Sequence, residues 1–169
     1  MTFRCLACIA LLLSLPAWAD HHGEVKFWSS GDLKALPASL QAALDKAPKD
    51  QVPYIHGVSP RHLLEEREGA HHYMDVVHRE RSGLAEAHDV KADLYVVLSG
   101  SGTVVVGGEM PGRSEMKARP GEWRAPKIEG GKKYPLKPGD MINIPSKTPH
   151  QLLLEDGANI TYLIIKIID

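Results

Sequence analysis

Four side chains of this chain have types and spacing suited to chemistry: Glu86, His88, Asp93 and His150. Glu86 and His88 stand two residues apart in the stretch GLAEAHDVKADLYVVLSG (83–100). Side chains two apart on a strand project to the same face, so this carboxylate and this imidazole point together. Asp93 follows after a polar break, Asp89 to Ala92, which is small enough to form a corner and return Asp93 to that face. His150 comes from a second stretch, GDMINIPSKTPHQ (139–151), behind Pro149, whose ring stiffens the turn. Two carboxylates with two imidazoles make a mixed oxygen and nitrogen donor set. Such a set suits Fe(II), Mn(II), Ni(II) or Zn(II), and its geometry leaves positions for water or substrate on an octahedral ion. Taken singly, Glu86, His88 and Asp93 read as solvated loop groups and His150 as a hydrogen-bonded core histidine.

Further pocket candidates flank this set. Tyr95 lies one strand step from Asp93, and its hydroxyl can orient a substrate or donate a proton, or simply pack in the core. Glu86 is the expected acid/base, because it holds a ligand position yet can detach. Asn143 faces either the cavity or water. His78 reads as an extra ligand, a base or a rim residue. Trp123, in a long polar stretch, forms a lid or packs in its loop. Lys166 interrupts the last apolar strand and, since its stem can carry the charge out to water, is given no role.

The elements that hold these residues follow from the rest of the chain. It has 169 residues, 43% hydrophobic, and a formal charge of −1, enough for one domain with a real core. The near-neutral balance gives no reason to expect nucleic acid as a partner. From Ala70 onward short β segments alternate with glycine and proline turns: Tyr73 to Arg79, Asp93 to Leu98, Thr103 to Val106, Pro126 to Glu129, Lys133 to Leu136, Met141 to Ile144, Gln151 to Leu154 and Ile160 to Ile168. Asp93 to Leu98 and Thr103 to Val106, joined by Ser99-Gly100-Ser101-Gly102, read as a hairpin. Met110 to Ala125 reads as a loop. Many short strands argue for a sandwich or barrel.

Upstream, residues 20–69 read as a tail and a helical arm on the outside of a barrel domain, residues 70–169. Ser29-Ser30-Gly31-Asp32 offers helix-start residues, and Leu33, Leu36, Leu40 and Leu44 mark one apolar face. Pro37 predicts a kink or two short helices. Lys46 to Pro53 reads as a linker, and His56 and His62 as surface histidines. Residues 1–19 have the layout of a secretory signal peptide: Arg4, an apolar run from Leu6 to Leu15, and Ala17-Trp18-Ala19 as a cleavage signal. A retained membrane anchor is the alternative. Both cysteines, Cys5 and Cys8, lie in this leader, so the site must use His, Asp and Glu. The expected location is periplasmic or secreted, with no membrane attachment of the mature form. Cleavage after Ala19 would leave Asp20-His21-His22 at the N-terminus, a nitrogen-rich arrangement for Cu(II), or else a polar tail.

The two site stretches resemble the paired motifs of the cupin superfamily. Asp93 and Gly100 are separated by six residues, Gly139 and Pro145 by five, and His150 follows Pro145 at the second motif's distance. Glu86 stands at the first histidine position, Asp93 at the glutamate position, Lys147 at the second motif's glycine and Leu154 at its asparagine. The resemblance covers Ala70 to the end and implies a mainly β jelly-roll barrel with a divalent metal in its mouth. It is similar to the small exported single-domain cupins. Three functions follow as expectations. One is a metal-dependent enzyme on a small organic molecule, dioxygenase-like or isomerase/lyase-like. The second is a metal- or ligand-binding module without turnover. The third is a structural homodimer paired through sheet edges.

Overall fold

The computed structural model describes residues 25–46, 58–65 and 69–169. The leader, both cysteines, Asp20-His21-His22, His56 and nearly all of the expected linker lie outside the described residues. Among the described residues one helix, α1 (Ser30–Lys46), precedes eleven strands: β1 (Val58–Leu64), β2 (His72–Arg79), β3 (Ala85–His88), β4 (Lys91–Gly100), β5 (Gly102–Val106), β6 (Ser114–Glu115), β7 (Glu122–Ala125), β8 (Lys132–Leu136), β9 (Met141–Ile144), β10 (His150–Leu153) and β11 (Ile160–Ile168). Two sheets form, in the orders β1-β2-β11-β4-β9 and β6-β7-β3-β10-β5-β8, and every pairing is antiparallel. This is a jelly-roll barrel with a short helical arm. No helix among the described residues is long and apolar enough to cross a membrane.

Alternation along the strands builds the core. Tyr95 and Val97 of β4 face Ile160, Tyr162 and Ile164 of β11, and Val104 and Leu152 of the other sheet meet them. Burial of this apolar surface drives closure of the roll. Toward one end the inward positions turn polar. On β4 the series Val97, Tyr95 continues to Asp93; on β11 the series Tyr162, Ile164 continues to Lys166, opposite Asp93. The site therefore sits where the core stops.

Several expectations change. The stretch from Asp93 to Val106 is not a hairpin: β4 and β5 lie in different sheets. Gly100 makes the crossing with φ 72°, and a Cβ there would meet the Asn159 carbonyl oxygen at 2.1 Å. Gly100 thus admits both the turn and the close approach of β11's lead-in. The expected loop from Met110 to Ala125 contains β6 and β7, because Trp123 and Ala125 pack with Met110, Ala85, Ala87 and Ile128 on the sheet's outer face. Pro126 to Glu129 makes only an isolated bridge, Glu109 to Glu129. The barrel sheet begins earlier than Ala70, since β1 pairs with β2.

α1 runs through Pro37 as one helix. Ser29 and Asp32 cap it reciprocally: the Ser29 amide donates to Asp32 Oδ2 (2.8 Å) and the Asp32 amide to Ser29 Oγ (3.2 Å). Leu36 and Leu40 are buried against Val76, with Leu63, Leu98 and Leu163 alongside. Tertiary packing of this face outweighs the one backbone bond that proline removes.

Candidate active site

β3 carries Glu86 and His88 on its inner face, and β10 and β7 flank it. Register places His150 opposite Glu86 on one side, and Arg124 opposite Glu86 and Glu122 opposite His88 on the other. After His88 the chain bends through Asp89 and Val90 into the opposite sheet, which returns Asp93 inward. The expected corner is thus a passage between sheets. One atom each from Glu86, His88 and His150 lie within 4.8 Å of one another. Asp93 is outside that trio but touches it, with Oδ2 3.5 Å from His88 Nε2 and 3.3 Å from His150 Nε2.

The imidazoles are oriented from behind. His88 Nδ1 donates to Glu122 Oε2 at 2.6 Å, and His150 Nδ1 donates to the Thr148 carbonyl at 2.9 Å. With Nδ1 committed to an acceptor, each neutral ring turns the lone pair of Nε2 to the centre; the partners assign these tautomers. His150 Nε2 is buried and has no hydrogen-bond partner. A lone pair 3.3 Å from a carboxylate oxygen is a position that a cation or a proton donor would relieve.

Lys166 supplies charge at this point. Its Nζ lies 2.6 Å from Asp93 Oδ1, 2.7 Å from Asp93 Oδ2 and 2.8 Å from His88 Nε2. The side chain is 11% exposed. The expectation that it carries its charge out to water is therefore wrong. Period-two alternation from Tyr162 and Ile164 places Lys166 inward, and the Asp93 carboxylate holds it there.

The charges sort the carboxylates. Burial raises the pKa of Glu86, but His150, Arg124, Lys166 and Arg79 outweigh it and bring the group down to about 2. Arg124 binds Glu86 Oε2 at 3.1 Å, and Oε1 faces His150 Nε2 at 3.9 Å. Glu86 thus stays ionised through the neutral range and supplies no proton. Burial also opposes ionisation of Asp93, but His150, His88 and Lys166 hold it well below the usual carboxylate range. Glu122, buried but bonded to His88 and near Lys166 and Arg124, comes down to about 2. For His88, desolvation disfavours the charged ring, yet the Asp93 and Glu122 carboxylates beside it prevail and raise its pKa.

Tyr95 is buried, with its ring 4.7 Å from Tyr162 and its hydroxyl donating to Asp93 Oδ2 at 3.4 Å. Burial first, then the Asp93 charge, pushes its pKa well up, so it remains a phenol. Glu122 also borders a cleft of about 340 Å³ with His62, Tyr73, Asp75, Lys91, Arg119 and Pro120, which brings solvent close to the His88 side of the site. In that cleft the exposed His62 is paired with Asp75 at 2.6 Å.

The other candidates lie elsewhere. His78 is buried on the outer face of its sheet, bonded to Thr161 Oγ1 and Gln41 Oε1, and is neither ligand nor rim. Asn143 is exposed. Trp123 packs on the outer face and donates to Asp89 Oδ1 at 3.0 Å, so it is no lid. Glu122, Arg124 and Lys166 escaped the sequence reading. For Lys166 the signal was present in the alternation of β11; for Glu122 and Arg124 nothing local marked the strand.

No protein-family profile and no curated protein sequence matches the chain. Solved structures that resemble it share little sequence. A DMSP lyase from Ruegeria pomeroyi is 18% identical over 73% of this chain and 52% of its own, with a TM-score of 0.48. The Streptomyces nucleoside dehydratase Pac13 is 13% identical over 67% and 71%, with a TM-score of 0.47. A cupin-2 domain from Rhodospirillum rubrum is 16% identical over 68% and 62%, also at 0.47. The two antiparallel sheets, their strand order and the polar end of the roll between β3, β4, β10 and β11 are those of a jelly-roll barrel.

Proposed function

We propose that this protein is an acid–base enzyme of the isomerase or lyase type on a small organic molecule, with a divalent ion seated by Glu86, His88 and His150. One observation carries this reading: two imidazoles, each pinned through Nδ1, turn Nε2 toward a centre shared with two ionised carboxylates. The donor set fits a borderline-hard ion such as Fe(II), Mn(II), Ni(II) or Zn(II) in type and spacing. The bound ion would act as a Lewis acid on a carbonyl or enolate oxygen.

The chain's own groups do the rest. Glu86, ionised and anchored by Arg124, serves as a ligand rather than as a proton donor. Asp93 accepts hydrogen bonds from Lys166 and Tyr95, so the ammonium and the phenol are the proton-bearing groups nearest the centre. Export to the periplasm or beyond is part of this proposal and is supported by the leader-like start of the sequence. A non-catalytic binding module is the second reading, favoured by Lys166, which already pairs with Asp93 at 2.6 and 2.7 Å.

The test is elemental analysis of the protein recovered from a periplasm, with His88→Ala and His150→Ala beside it. Stoichiometric metal lost in both variants supports the site. Metal-dependent turnover without oxygen uptake supports the isomerase or lyase reading, oxygen uptake points to a dioxygenase, and metal without turnover favours the binding module. Protein devoid of metal under all loading conditions overturns the proposal.

A further inference from the structure

We infer that Lys166 is a tethered cation that occupies the divalent ion's place, so that an ion reaches His88 only by displacing the ammonium. This deepens the proposed function and rests on its ligand set.

The geometry is specific. The Nε2 lone pair of His88, the one its Glu122 bond leaves for a metal, already accepts from Lys166 Nζ at 2.8 Å. An ion ligated by that nitrogen needs the same lone pair, so ammonium and ion exclude each other. Asp93 holds Nζ through a hydrogen bond at Oδ2 and an ion-pair contact of 2.6 Å at Oδ1. The charge count agrees. The ionised groups Glu86, Asp93 and Glu122 meet Lys166 and Arg124 directly, Lys91 at 3.5 Å from Glu122, and the field of Arg79 at Glu86. Four cations already face three carboxylates, and a dication added beside Lys166 would meet unscreened repulsion in a buried site. With Lys166 withdrawn, Asp93 is released to balance the ion. His150 Nε2, buried and without a hydrogen-bond partner, marks the part of the centre that Lys166 leaves unserved.

The two cations are therefore coupled negatively, and removing one must favour the other. The test uses Co(II) as the probe, followed by calorimetry and by its visible absorption, on the wild type, Lys166→Met and the double variant Asp93→Asn/Lys166→Met. The double variant removes the pair together and guards against misfolding of the single one. Lys166→Met is expected to bind Co(II) about tenfold or more tightly than the wild type, and the double variant, which gives up the released carboxylate, more tightly than the wild type but less than the single variant. In the wild type, Co(II) should also speed acylation of the Lys166 amine, read by mass spectrometry, because displacement brings the amine to solvent.

Wild-type binding with no gain in either folded variant overturns the tethered cation and leaves the metal site standing. Lys166 acylation unchanged by bound Co(II) overturns it as well. Failure of all three folded proteins to bind Co(II) overturns the ligand set, and the inference with it.

Discussion

Lys166 Nζ lies 2.6 and 2.7 Å from the two oxygens of Asp93, and the two residues stand opposite each other across the β4–β11 ladder. The pair closes the polar end of the roll, and Asp93 has no exposed surface. Breaking such a pair from one side strands a buried charge, which costs about 3–5 kcal/mol. Lys166→Met should lose that much in urea denaturation, whereas Asp93→Asn/Lys166→Met should regain most of it. A single variant within about 1 kcal/mol of wild type would show that the pair does not hold this end of the barrel.

Glu122 acts through His88. Its Oε2 takes the Nδ1 proton at 2.6 Å and so fixes which ring nitrogen faces the centre. Partners of this kind are worth about 10–100-fold in metal affinity. Glu122→Gln keeps the shape but drops the charge, so Co(II) affinity should fall about tenfold, whatever stability the buried charge pair contributes. Unchanged affinity in calorimetry would show that the carboxylate has no part in orienting the ring.

The roll and most of the donor set were legible because both rest on local pattern. Glu86 and His88 share a face by strand alternation, and the motif spacings around Asp93, Pro145 and His150 are countable. What escaped depends on pairing between distant segments. Arg124 and Glu122 matter because β7 pairs with β3 in a register that sets them beside Glu86 and His88, and no periodicity in Met110 to Ala125 announces that strand. The Ser99 to Gly102 turn looks like a hairpin locally; only the contact of Gly100 with the Asn159 backbone shows that the chain changes sheets there. Lys166 was misjudged for a different reason. A lysine in an apolar strand is usually assumed to reach water, yet its place in the alternation with Tyr162 and Ile164 pointed inward to a waiting carboxylate.

His78 makes a pH-sensitive seam between α1 and the five-stranded sheet. Its Nε2–H donates to Gln41 Oε1 at 2.9 Å and its Nδ1 accepts from Thr161 Oγ1 at 2.8 Å, while Gln41 Nε2 donates to Glu80 and Asp45. Burial lowers its pKa below the ordinary histidine value, and the Glu80 and Asp45 charges oppose this only partly. The unfolded chain therefore binds the proton more readily than the fold does. Stability from the neutral ring is complete above the unfolded value of about 6.5 and declines as pH falls through and below it. Thermal melts from pH 8 to pH 5 should show this loss in the wild type and a flatter profile in His78→Gln. Parallel profiles would remove His78 as the cause.

Lys147 holds the left-handed backbone at φ 61°, the position at which the resembled motif has glycine. Its amide donates to the His88 carbonyl at 2.7 Å, so the turn that presents His150 is tied to the strand that presents His88. The side chain is exposed and contributes no packing. A residue with a Cβ pays about 1–2 kcal/mol for this conformation, and glycine gives back about 0.5–1 kcal/mol of that through its freer unfolded chain. Lys147→Gly should then stabilise the protein by about 0.5–1 kcal/mol, a rise of a few degrees in melting temperature at this size. Lys147→Ala keeps the Cβ and should leave stability near the wild-type value, which separates backbone strain from loss of the charge. If glycine lowers the melting temperature, the left-handed turn is held without strain, and the lysine has its place there for another reason.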